Sequence, residues 1–122
     1  MCVLVSVVLW GISAVITAPV AGAHATLTAG APAAGTSLTA LPQQAIATFD
    51  EPVEAAFASL TVTGPSGDVV SAGQVRVSGS QLSVALSSSR QLGSYTAEYR
   101  LMAADGHIVS GSWSFAMVAP QP

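Results

Sequence analysis

Charge is what this sequence has least of. Among 122 residues only three are basic and six acidic, 7% in all, with a formal net charge of −3. Arg76, Arg90 and Arg100 lie singly along the chain. No basic patch is available to neutralise a run of phosphates, which argues against a nucleic-acid-binding role. Cysteine is scarcer still. Cys2 is the single one, so an internal disulfide or a zinc–thiolate framework is excluded. From residue 24 onward no stretch keeps a 3.6-residue apolar period, which excludes a helical domain. There are no internal repeats. Histidine occurs twice, as His24 and His107.

What the chain has in quantity is small and apolar residues. Hydrophobic residues make up 51% and the mean hydropathy is +0.61, much of it from the first 20 positions. An apolar run from Val3 to Trp10 continues through Ile12, Val15 and Ile16 and ends at Pro19-Val20-Ala21-Gly22-Ala23. Ala21 and Ala23 satisfy the small-x-small rule of signal peptidase, with cleavage before His24. This divides the chain into a signal peptide at 1–23, one domain at 24–118 and a short tail at 119–122. No Lys or Arg precedes the run, and the other reading is an uncleaved membrane anchor, for which the run is about long enough. Cleavage would remove Cys2 and leave a thiol-free domain of about 100 residues, the common size of a β-sandwich and compatible with an oxidising compartment.

The remainder reads as β throughout. A first strand is expected over His24–Ala29 with Ala25, Leu27 and Ala29 on one side, then a turn over Gly30–Gly35. Ala45–Phe49 alternates as the next strand. Pro52 ends it, and Asp50–Phe57, with three carboxylates close together, is expected as a helical turn or an irregular loop. Ser59–Thr63 leads into Gly64-Pro65-Ser66-Gly67, the strongest turn signal in the chain, with Asp68–Ser71 returning as a hairpin partner. Val75 and Val77, then Leu82, Val84 and Leu86, mark two more strands. Ser94–Met102 and His107–Val118 are long strands joined by Ala103–Gly106. Leu92-x-x-Tyr95 with Gly93 resembles a tyrosine corner, in which the Tyr hydroxyl ties a strand start to upstream backbone. The fold expected is an all-β Greek-key β-sandwich of about seven strands.

Two features carry chemistry. In an extended backbone residues i and i+2 point to one side, so Asp105 and His107 of the Asp105-Gly106-His107 triplet can face one point. On its own such a triplet is also an ordinary turn with a polar strand end. His24, if it becomes the mature N-terminus, offers an α-amine and an imidazole from one residue. Amine, two imidazoles and a carboxylate form a nitrogen-rich set suited to Cu(II).

The motifs His24-Ala25-x-Leu27, Pro32-Ala33-x-Gly35, Phe49-x-Glu51-Pro52-Val53, Leu92-x-x-Tyr95-Thr96 and Asp105-Gly106-His107-x-Val109-x-Gly111-x-x-x-Phe115 closely resemble the CopC family of copper-resistance proteins, in order and spacing and over essentially the whole chain after residue 23. The resemblance implies a secreted or periplasmic sandwich holding one Cu(II) in a histidine brace. His24 chelates through amine and imidazole, His107 completes the nitrogen set, and Asp105 sits nearby or axially. Glu51 aligns with an acidic residue that joins the site in some members, the other reading being a solvated charge after a strand. Asp50 and Glu54 are read as surface charge. Tyr99, Trp113 and Met117 are read as core, and with only Met102 and Met117 left after cleavage no thioether Cu(I) site is expected. The resemblance also implies a CopD-type membrane partner. A monomer without enzymatic activity is expected. A copper redox enzyme with the same brace and a metal-free interaction module are the alternatives.

Overall fold

A computed structural model describes residues 25–121. The signal peptide at 1–23, the cleavage before His24 and the ligand role of His24 lie outside the described residues. Eight strands follow one another: β1 (Leu27–Ala31), β2 (Ser37–Leu38), β3 (Gln44–Phe49), β4 (Glu54–Thr63), β5 (Ser71–Ser78), β6 (Gln81–Leu86), β7 (Gly93–Met102) and β8 (Ile108–Met117). Among the described residues there is no helix. Two four-stranded sheets, ordered β1-β3-β6-β5 and β2-β8-β7-β4, form the expected Greek-key sandwich. Only β5–β6 and β7–β8 are hairpins within one sheet; every other connection changes sheet. The strand beyond the expected seven is β2, two residues paired parallel to the end of β8 and too short to leave a period in the sequence.

Alternation builds the core. Ala45, Ala47 and Phe49 of β3, Leu82 and Val84 of β6, Tyr95, Ala97 and Leu101 of β7, and Trp113, Phe115 and Met117 of β8 are all buried. Small residues from one sheet leave room for large rings from the other. Tyr95 and Phe115, cross-strand partners in the β7–β8 ladder, stack with ring centroids 5.7 Å apart. Trp113 is accommodated by Gly30, where a Cβ would come within 2.6 Å of the indole. The indole N–H donates to the Pro32 carbonyl at 2.7 Å. Tyr99 packs edge-on against Phe49 at 5.1 Å, so Tyr99, Trp113 and Met117 serve the core as expected.

Three local expectations are revised. The β1 register shifts between Leu27 and Ala29, so Ala29 faces outward and Gly30, expected in a turn, is a strand residue against Trp113. The segment Glu54–Phe57 is neither helix nor loop but the irregular start of β4. Five steps along β4, from Glu54 to Ser59, span only two along β7, from Met102 to Arg100, and Phe57 has a φ of 63°. Extra residues of this kind erase the period-two signal. Asp68–Val70 returns beside β4 through one bridge, Thr63 to Val69; from Ser71 the chain crosses to the other sheet as β5. The tyrosine corner is present: the Tyr95 hydroxyl donates to the Gln91 carbonyl at 2.6 Å and lies 2.8 Å from Ser89 Oγ.

Candidate metal centre

The β7–β8 ladder runs without a break from the Gly93–Met117 pair to the Met102–Ile108 pair. It is closed by Ala104, Asp105 and Gly106. Gly106 N–H donates to the Ala103 carbonyl at 2.9 Å, and Ala103 N–H to the His107 carbonyl at 2.8 Å. This is a three-residue hairpin loop ending in a left-handed residue. Gly106 takes that position with φ 86°, which a residue with a Cβ enters only with strain.

The loop aims a carboxylate at the residue that follows it. Asp105 Oδ1 accepts the His107 backbone N–H at 3.0 Å, and Asp105 Oδ2 lies 2.7 Å from His107 Nδ1. Both oxygens of one carboxylate thus hold one histidine, the first fixing its backbone and the second its ring. Asp105 and His107 meet as expected, by a different route: the segment is a turn, not extended backbone, and the side chain of Asp105 bends to its own second neighbour as Asp does in turns. An ionised carboxylate only accepts, so Nδ1 carries the ring proton in this arrangement. Nε2 is then the nitrogen through which His107 would take a metal, the carboxylate orienting the ring. The Asp105 side chain is 25% exposed and that of His107 67%, so the pair sits at the surface, while Leu101 and Ala103 just before it in the chain are buried.

Several other segments reach this same end of the sandwich. Leu27 of β1 pairs with Phe49 at the end of β3. Just before it, Thr26 N–H donates to Asp50 Oδ1 at 2.7 Å and Asp50 N–H returns a bond to the Thr26 carbonyl at 3.0 Å. The β3–β4 connection is fastened to the β5–β6 turn through Phe49 N–H to Ser80 and Val53 N–H to Gly79. Glu54 lies opposite Met102, itself opposite Ile108 next to the hairpin loop. The first described residues and the Asp105–His107 hairpin therefore share one end. Glu51 lies half-buried in the β3–β4 connection. Among the described residues no three His, Cys, Asp or Glu gather as a metal-holding group; Asp105 and His107 supply two donors. Asp50, read from the sequence as surface charge, ties two chain segments together. Its partner stands 24 positions away, and no sequence spacing pointed to it.

Fold and hairpin together define a small two-sheet β-sandwich with a carboxylate-oriented histidine at one end. The chain belongs to the CopC family: the CopC domain model matches residues 27–118. Protein YobA of Escherichia coli K12 is 34% identical over 102 residues, covering 81% of this chain and 82% of YobA. The crystal structure of CopC from Methylosinus trichosporium OB3b superposes with a TM-score of 0.72 at 24% identity, over 81% of this chain and 98% of that one. PcoC from Escherichia coli, a methionine-rich copper resistance protein, superposes at 0.64 with 20% identity, over 78% of this chain and 99% of its own. At those identities the two structures speak for the fold.

Proposed function

We propose that this protein is an extracytoplasmic Cu(II)-binding protein of copper homeostasis or resistance, holding one copper per chain and sequestering it or passing it to a membrane partner of the CopD type. Membership of the CopC family gives it a copper-related role. In this reading residues 1–23 are removed, His24 becomes the N-terminus, and its amine and imidazole join His107 Nε2 around the metal, with Asp105 orienting His107 and lying nearby or axially. The observation that carries the reading is the double grip of Asp105 on His107, at the end of the sandwich where the described chain begins. The donor chemistry suits the cargo. Imidazole and amine nitrogens with a carboxylate favour Cu(II) over harder ions.

The test is a Cu(II) titration of the protein beginning at His24, followed by electron paramagnetic resonance. One equivalent should bind with a tetragonal signal showing nitrogen hyperfine structure. His107→Ala should weaken binding by more than the about 10–100-fold that loss of an outer-shell partner costs. Affinity should fall as the solution becomes mildly acidic, because protons compete for the same nitrogens. Binding that is indifferent to His107→Ala would overturn the reading.

A further inference from the structure

We infer that Asp50 is a positioning residue of this metal centre: its carboxylate pins Thr26, two residues after His24, to the end of β3 and so sets where the mature N-terminus is delivered. The inference rests on the histidine-brace reading and adds a residue to it that touches no metal.

The geometry is that of a strand pair closed by a side chain. Asp50 N–H donates to the Thr26 carbonyl at 3.0 Å as a ladder residue would. The return bond, from Thr26 N–H, goes to Asp50 Oδ1 at 2.7 Å, because the backbone after Asp50 turns away towards Pro52. A bond from a backbone N–H to an ionised carboxylate is among the stronger kinds. It lies one residue beyond the Leu27–Phe49 pair, the first of the β1–β3 register, and fastens the N-terminal segment to the end of β3. Buried Ala25 anchors the same segment by packing. Two residues of extended chain reach at most about 7 Å, so in the brace reading a bond at Thr26 acts close to the terminal ligand. Without it the segment keeps the Asp50 N–H bond to the Thr26 carbonyl and the packing of Ala25, and whatever freedom it regains copper must remove on binding, at a cost in affinity.

A carboxylate near a cation site also attracts by charge alone, and the two effects separate on substitution. Asp50→Asn keeps an oxygen acceptor for Thr26 N–H and loses the charge; Asp50→Ala loses both. The experiment measures Cu(II) affinity by competition with a chromophoric chelator, and amide exchange of Thr26 in the copper-free protein, for wild type and both variants beginning at His24. Asp50→Ala should weaken copper binding by about 10–100-fold and speed Thr26 exchange by about tenfold or more, while Asp50→Asn stays within a few-fold of wild type in both. An Asp50→Asn protein as impaired as Asp50→Ala would make charge the cause and overturn the inference. So would an Asp50→Ala protein with unchanged affinity or unchanged Thr26 exchange. If the wild type itself binds no copper, the brace reading falls, and Thr26 exchange still decides whether Asp50 holds the chain.

Discussion

At the end of the sandwich that carries the β6–β7 connection, polar side chains turn onto the backbone and are consumed by the fold: Tyr95 reaches the Gln91 carbonyl and Ser89. At the opposite end the polar groups are carboxylates on exposed loops, Asp50 holding Thr26 and Asp105 holding His107. The difference follows from what each group costs to bury. A phenol can be enclosed with one or two hydrogen bonds satisfied, whereas an ionised carboxylate stays near water unless paired. At the first end a buried phenol is closed by its hydrogen bonds, while the Asp68 carboxylate stays at the surface with Ser66. At the other, the two carboxylates turn onto neighbouring chain, Asp50 onto Thr26 and Asp105 onto His107.

Substitutions at the two ends should separate stability from binding. Tyr95→Phe should have the largest effect on folding, about 1–3 kcal/mol for the bonds lost at a part-buried site, or about 4–8 °C in Tm per kcal/mol for a domain of this size. Copper binding should be unchanged. Thermal unfolding and a copper titration of the same sample check both halves, and a loss of binding without loss of stability would break the contrast. Gly106→Ala lies between, costing about 1 kcal/mol because the hairpin needs its positive φ, and it should weaken copper binding as well by tilting the Asp105–His107 pair. His107→Ala should change stability least, within about 0.5 kcal/mol for an exposed position, while removing the copper ligand proposed above. If it destabilised the protein as much as Tyr95→Phe, the histidine would belong to the fold rather than to the site.

The alternation of Ala45–Phe49, Leu82–Leu86 and Tyr95–Leu101 made the core and the β class legible in the sequence, and Leu92-x-x-Tyr95 made the corner legible. What escaped is what depends on irregular pairing. The shift after Leu27 moves the inward position to Gly30, and the extra residues between Glu54 and Ser59 hide the first half of β4, because a period of two is lost wherever a strand bulges. The Asp105–His107 pair was visible as a triplet, yet its geometry was not: the meeting depends on the left-handed Gly106 and on a side chain folding back. Asp50 left no trace at all, since its partner is brought to it only by the pairing of β1 with β3.

Intact-mass spectrometry of the protein secreted by its own host, with and without one equivalent of Cu(II), reads the mature terminus and the bound copper together. The expected result is a mature chain beginning at His24 that gains one copper and loses that gain on His107→Ala. A mature chain that begins at another residue, or that takes up no copper, would contradict it and leave the sandwich as a metal-free module.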